Sequence, residues 1–403
     1  MISLEKVTAV FAGAFLLALF SVSGQERPVT PAARPAVRSQ ARMPSPEIHP
    51  DNRVTFRLYS RNAAAVTVSG EWQTGSQAMT KSDSGFFTIT VGPLKPELYS
   101  YSFTVDGLRI TDPSNIQVRR DGSRYESWFI VPGPGSDLYL HKHDVPHGTV
   151  SKVWYRSAVL GMDRRMYVYT PPGYESGKGK YPVFYLLHGA GGDEDAWTNM
   201  GRTAQIIDNL IARGRAKPMI VVMTNGNANQ AGAQNDVPPI PAQEMQSLEA
   251  YSRFPGSFEE HLVKDVVTYI EDNYRIKANA ASRAIAGLSM GGAHTQTITF
   301  DNPTMFGYIG VFSMGLMDLR QRNQDVSQLE GERQAKLEAL AKSGYKLYWI
   351  GCGKDDFLYQ SVVNLRGFLD RNNFRYVYRE SEGGHTWTNW RIYLSEFAPL
   401  LFK

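Results

Sequence analysis

The 403-residue sequence predicts an α/β protein with a mostly parallel central sheet, preceded by a small all-β sandwich. Three observations lead there. From about residue 150 onward, short apolar runs alternate with amphipathic helical stretches, the pattern of a parallel sheet covered on both faces. Between residues 54 and 105 the runs instead alternate apolar and polar residues, as strands with one buried face do. The stretch Val131-Pro-Gly-Pro-Gly-Ser-Asp137 punctuates the change.

The first element, residues 1–24, reads as a secretory signal. Lys6 precedes the apolar run Val7–Phe20, and the small residues Ser21, Ser23 and Gly24 follow it. The run is short for a membrane span, and no cysteine follows it to carry a lipid. The expected product is a secreted or periplasmic protein with no membrane attachment once the signal is removed. Residues 25–46 hold five prolines and no apolar period, which reads as a tether. Four arginines against Glu26 put three of the four net positive charges in that tether. The remaining chain is near neutral, so a nucleic-acid footprint is not expected. The single cysteine, Cys352, rules out an internal disulfide and a cysteine zinc site, and no metal or organic cofactor is expected.

Residues 47–133 are expected to form an immunoglobulin-like sandwich. Its strands are read from Val54-Thr-Phe-Arg-Leu-Tyr59, Ala65-Val-Thr-Val68, Phe86-Phe-Thr-Ile-Thr-Val91 and Leu98–Val105, with a tight turn at Asp106-Gly107. A linker, 134–148, leads to the larger domain, 149–403. The two domains are expected to have separate cores and to fold independently. Strands of the second domain are read at Val183–Leu187, Met219–Met223, Arg283–Ala286, Lys346–Ile350 and Phe374–Tyr378. The clearest helix starts at Ser257, where Glu260 completes a capping box. Phe258, Leu262, Val263, Val266, Val267, Ile270 and Tyr274 mark its apolar face. Asn225–Pro255 is too long and aperiodic for a plain connection and is expected to border a binding pocket, with Val237-Pro-Pro-Ile-Pro241 as a rigid apolar patch.

The strongest chemical signal is Gly287-Leu-Ser-Met-Gly-Gly292, which follows a strand and precedes a helix. G-x-S-x-G in that setting is a nucleophile elbow: flanking glycines allow a strained turn that projects the Ser289 hydroxyl from the strand end. Such a serine needs a base, oriented by a carboxylate, and in the α/β-hydrolase fold the chain order is serine, acid, histidine. Only His294 and His385 follow Ser289. His294 lies inside the elbow helix and is expected to pack there. His385, in Gly383-Gly-His-Thr-Trp387 after the last strand, is the expected base. The acid comes from the loop Gly351–Asp356, where Asp355 and Asp356 compete. Two backbone N–H groups should form an oxyanion hole: that of Met290 and that of Ala190, in the loop Leu187-His-Gly-Ala-Gly-Gly192. His188 is expected to support that loop. The loop lacks the Lys-Ser/Thr ending of a phosphate-binding loop.

With Tyr185–Gly192, Gly287–Gly292, Gly353-Lys-Asp-Asp-Phe-Leu358 and Gly383–Trp387 in this order, residues 150–403 resemble the feruloyl esterase/esterase D-like branch of the α/β-hydrolases, carbohydrate esterase family 1. In that family the acid directly precedes a Phe/Ser-Leu-type pair, which favours Asp356 over Asp355. Phe56-Arg-Leu-Tyr59, Val66–Trp72, Gly85–Ile89 and Tyr99-Ser-Tyr101 resemble a family 48 carbohydrate-binding module. The resemblance implies a serine ester hydrolase that releases ferulate from feruloylated arabinoxylan in plant cell walls. Acetyl xylan esterase and siderophore esterase are alternatives on the same fold, and a non-catalytic glycan-binding protein is the alternative from another class. Substrate contacts are expected from Trp72, a possible sugar platform or a sandwich core residue, and from Pro239 and Trp387.

Overall fold

A computed structural model describes residues 43–233, 236, 257–316 and 326–403. The expected signal, the tether up to Arg42, most of the long connection after Asn225 and Pro239 lie outside the described residues.

The sandwich is built from β1 (Glu47–Ile48), β2 (Val54–Tyr59), β3 (Val66–Gly70), β4 (Ser76–Ala78), β5 (Thr80–Lys81), β6 (Phe86–Val91), β7 (Leu98–Val105), β8 (Leu108–Ile110), β9 (Val118–Asp121) and β10 (Arg124–Ile130). One sheet runs β1-β2-β6-β5; the other runs β4-β3-β7-β10-β9, with β8 on β7. Alternation points Phe56, Val68, Tyr101, Phe103 and Phe129 into one core between the sheets. β9 and β10 form a hairpin that the sequence reading did not identify, because Arg119, Arg120, Asp121, Arg124 and Glu126 break its apolar pattern.

The second sheet comprises β11 (Thr149–Ser157), β12 (Met162–Thr170), β13 (Val183–Leu187), β14 (Ile220–Thr224), β15 (Arg283–Leu288), β16 (Tyr308–Phe312), β17 (Leu347–Gly353) and β18 (Val377–Ser381). Their spatial order is β11-β12-β14-β13-β15-β16-β17-β18. β11 and β12 pair antiparallel, β12 meets β14 antiparallel, and the strands from β14 to β18 are parallel. The central strands are buried on both faces. Val183, Tyr185 and Leu187 pack with Phe258, Leu262, Ile270 and Ile298, whereas Phe184 and Leu186 pack with Ile206, Leu210, Tyr393 and Phe397. This two-sided burial explains why β13 reads as an unbroken apolar run rather than an alternating one.

The sandwich keeps its own core, as expected, but it also joins the second of these layers. Leu98 of the sandwich is fully buried within it, and Trp128 and Ile130 pack against it. Arg391, on the helix Trp387–Phe397, is fully buried and crosses the junction. It donates to Met200 O (2.9 Å), Glu97 Oε1 (3.1 Å) and Leu98 O (3.0 Å). The expected linker is also tied down, since Asn209 donates to the carbonyls of Leu138 and Leu140. Residues 43–403 therefore form one compact unit.

Candidate active site

Ser289 ends β15 and caps the helix Met290–Asp301 with φ 50° and ψ −119°. This backbone region is sparsely populated for a residue with a side chain and costs on the order of 1–3 kcal/mol. The neighbouring glycines make the turn possible. A methyl on Gly287 would lie 2.2 Å from Gly291 O, and one on Gly291 would lie 2.5 Å from His188 O. The strain is held by close packing, as expected where a side chain must be presented.

The loops after β15, β16, β17 and β18 leave the same, C-terminal edge of the parallel strands, where open α/β sheets bind ligands. Backbone hydrogen bonds lace them together: Ser289 N to Phe312 O (2.9 Å), Ser313 N to Gly351 O (2.7 Å) and Lys354 N to Ser381 O (2.9 Å). The serine, acid and histidine loops are thus fixed to one another rung by rung.

His385 Nδ1 lies 2.9 Å from Asp356 Oδ1 and 3.0 Å from Oδ2. Burial of Asp356 opposes its charge. Hydrogen bonds from His385, the Leu358 N–H and Ser313 outweigh that effect and hold the carboxyl below its ordinary range. An ionised Asp356 can only accept, so Nδ1 must donate and Nε2 is left free to take a proton. Asp355 is exposed, with its N–H bonded to Gly383 O (3.0 Å), and it does not reach the histidine. Around His385 stand Trp390, edge-on at 5.0 Å, and Phe357, tilted at 4.5 Å with 75% of its surface exposed. Trp390 Nε1 donates to Ser313 Oγ (3.0 Å). Ser313, itself at φ 49°, and Trp390 had escaped the sequence reading because neither belongs to a chemical motif.

The loop after β13 runs against the elbow: a methyl on Gly189 would lie 3.2 Å from Ser289 Cβ. Ala190 is exposed at its tip. His188 is fully enclosed. Its Nδ1 donates to Gly189 O (2.7 Å) and its Nε2 accepts from Gly226 N (2.7 Å), and burial lowers its pKa, so it stays neutral. His188 is therefore a strut of the loop. His294 packs on Phe258 at 4.5 Å inside the elbow helix, and burial lowers its pKa to about 3. The first residues of the long connection reach this loop directly, with Asn227 Nδ2 donating to Gly192 O (2.9 Å).

One expected substrate contact, Trp387, is corrected. Trp387 is buried, edge-on to Trp197 (5.2 Å) and Trp390 (5.1 Å), with its indole hydrogen-bonded to Asp121 of the sandwich. It cements the domain junction and has no face to offer a substrate. Trp72 is half-buried, stacks on Phe56 at 5.2 Å, lies against the Gly70 backbone and packs on the edge of the sandwich core. A cavity of about 500 Å³ on that sheet is lined instead by polar residues, among them Glu71, Ser100, Arg109 and Glu126.

A second Ser–His–Asp set, Ser157, His261 and Asp265, meets within 3.0 Å. Ser157 donates to Asp265 at 2.6 Å and is fully buried, so its oxygen is neither activated nor reachable. It is a structural network. Among the described residues no group of three metal-ligating side chains converges, and no helix is long and apolar enough to cross a membrane.

Comparison with known proteins identifies the family of each part of the chain. The model of a family described as "Putative esterase" matches residues 157–400, and that of carbohydrate-binding module 48 (isoamylase N-terminal domain) matches residues 44–121. An endo-1,4-beta-xylanase/feruloyl esterase of Xylanibacter ruminicola is 31% identical over 369 residues, covering 89% of this chain and 46% of that protein. The chain thus spans less than half the length of this relative. A ferulic acid esterase of carbohydrate esterase family 1 from Anaeromyces mucronatus superposes with a TM-score of 0.54 at 27% identity, over 66% of this chain and 95% of that one. The enterobactin esterase of Shigella flexneri shares the fold over 87% of this chain and 92% of its own, with a TM-score of 0.62 at 16% identity.

Proposed function

Since the chain belongs to this esterase family and is a carboxylic ester hydrolase, we propose that it falls within the feruloyl esterase-like branch of carbohydrate esterase family 1, that Ser289, His385 and Asp356 are its triad, and that it releases ferulate from feruloylated arabinoxylan outside the cytoplasm. In the proposed reaction, Ser289 Oγ attacks the ester carbonyl and passes its proton to His385 Nε2. The Met290 and Ala190 N–H groups hold the oxyanion, and Asp356 fixes the imidazole and stabilises its charged form. Collapse expels the sugar hydroxyl, protonated by His385. Water, activated by the same histidine, then frees the acid from Ser289.

The observation that carries the hydroxycinnamoyl preference is Phe357. An aromatic ring exposed over 75% of its surface and tilted onto His385 offers a flat face beside the reacting carbonyl. Offset stacking of aryl rings contributes about 0.5–1.5 kcal/mol beyond area burial. The name of the Xylanibacter relative supports the same reading. The test compares release from methyl ferulate, acetylated xylan and an enterobactin-type triester. The reading requires methyl ferulate to be the best of the three by kcat/KM, and Phe357→Ala to raise its KM about 3- to 10-fold while leaving that of p-nitrophenyl acetate within twofold. Preference for acetylated xylan or for the triester would replace the substrate assignment.

A further inference from the structure

We propose that the sandwich domain supports catalysis directly: Arg120, on the β9–β10 hairpin, is a positioning residue for the loop that presents the Ala190 N–H to the oxyanion. This rests on the esterase reading above. Arg120 is buried, and its guanidinium makes four bonds. Nη1 donates to Asp193 Oδ2 (2.6 Å) and Gly122 O (2.6 Å); Nη2 donates to Asp193 Oδ1 (2.8 Å) and Asp195 Oδ2 (2.6 Å). Asp193 and Asp195 close the loop that begins at His188. Asp193 Oδ1 also accepts from Asp195 N (3.1 Å), so the loop is folded around the carboxylate that Arg120 holds.

The hairpin tip presses on the same loop. Gly122 has φ +57°, and a methyl there would lie 2.1 Å from Gly191 O, one residue from Ala190. From the opposite side the loop is gripped by its own domain. Glu194 accepts from Arg165 Nε (2.6 Å), Ala233 N (2.7 Å) and Asn225 Nδ2 (3.0 Å), and Gly192 O accepts from Asn227. Ala190 is therefore an exposed tip between two clamps, one of which comes from the sandwich.

The chemistry gives a reason for this arrangement. Taking two carboxylates and a guanidinium out of water is costly, and a well-packed apolar set is often the more stable choice. A bidentate fork instead fixes position and angle. Oxyanion donors act at 2.7–3.1 Å, and loss of one costs about 10²–10³ in kcat. A loop displaced by a fraction of an ångström weakens the transition state while leaving ground-state binding nearly intact.

The experiment uses the full chain with p-nitrophenyl acetate, a substrate too small to need a glycan site. Three variants are compared with wild type: Arg120→Lys, Gly122→Ala, and the triple variant Arg120→Met/Asp193→Asn/Asp195→Asn, which removes the buried charges together. kcat is normalised to the folded fraction from near-ultraviolet circular dichroism. The expected result is a fall in kcat of about 10- to 100-fold in Gly122→Ala and in the triple variant, with KM within about threefold. Arg120→Lys falls between these and wild type. Inhibition by a trifluoromethyl ketone, whose adduct on Ser289 carries an oxyanion, weakens by the same factor as kcat. If normalised kcat stays within twofold in Gly122→Ala, or if KM changes and kcat does not, Arg120 is merely structural and the proposal falls. Ser289→Ala is run alongside: residual turnover there would overturn the triad itself, whereas its loss beside intact Gly122→Ala activity overturns only the brace.

Discussion

Replacing Asp356 by asparagine exchanges one oxygen for an NH2 and should cost nearly all the activity. Asp356 is buried and accepts from the Leu358 N–H at 2.9 Å, from His385 Nδ1 at 2.9 and 3.0 Å, and from Ser313. An asparagine has one acceptor oxygen. The Leu358 N–H is fixed by the backbone and can only donate, so it claims that oxygen. The amide NH2 then stands in the place of Oδ2, 3.0 Å from His385 Nδ1, where it can only donate. The imidazole answers with the tautomer that accepts at Nδ1 and carries its proton at Nε2, where it cannot take one from Ser289. Loss of a triad carboxylate by this route costs about 10⁴ in kcat, or roughly 5 kcal/mol of transition-state stabilisation. Asp355→Asn alters an exposed side chain and should leave kcat within about twofold. The assay is steady-state hydrolysis of methyl ferulate by both variants at neutral pH, with melting temperatures as the folding control. A loss of less than tenfold in Asp356→Asn, or a larger loss in Asp355→Asn, would refute the tautomer argument.

Two further outcomes follow from the packing. Deleting residues 43–133 strips Leu98 and Trp128 from the shared core, removes Arg120 from Asp193 and Asp195, and takes the Glu97 and Leu98 acceptors from buried Arg391. The truncated chain should be insoluble or lack a cooperative thermal transition, and a transition within a few degrees of the full chain's would contradict the shared core. The second concerns acid stability. His261 is buried and its pKa is lowered to about 4 from 6.5, so the unfolded chain binds a proton that the folded chain refuses between those values. Stability is therefore lost as pH falls through that window, by about 3 kcal/mol from this group. Asp265 beside it has a lowered pKa, and its contribution is lost only below the ordinary carboxylate range, outside the window. His261→Gln should flatten the dependence of melting temperature on pH between 7 and 4.5; an unchanged slope would show that His261 does not set it.

The catalytic half was legible where chemistry and burial coincide. β13 was read at its observed bounds because burial on both faces leaves an uninterrupted apolar run, and the elbow was read because glycines are needed where a methyl would collide. Strands with one wet face were harder. β11 has exposed or half-exposed residues at most of its positions, and β18 lies three residues beyond its expected start because Phe374 stacks on Tyr345 before the strand pairs with β17. β16 was missed because five residues with a central glycine carry little signal. The domain junction was the least legible part of the chain. Arg120, Arg391, Asp121 and Trp387 look like surface charges and a pocket aromatic, and only the assembled structure gives each buried charge its partner across the chain. Of the motif GGHTW, the histidine reaches the acid and the tryptophan turns inward, a division that spacing alone does not encode.

The most direct test of the account is to trap the covalent intermediate. The full chain is mixed with methyl ferulate, quenched in acid within milliseconds and digested, and the peptides are analysed by mass spectrometry. A feruloyl increment on the peptide containing Ser289, absent in Ser289→Ala and accumulating when deacylation is slowed, is the predicted result. An increment on Ser157, or turnover persisting in Ser289→Ala, would contradict the claim that the strained elbow carries the nucleophile.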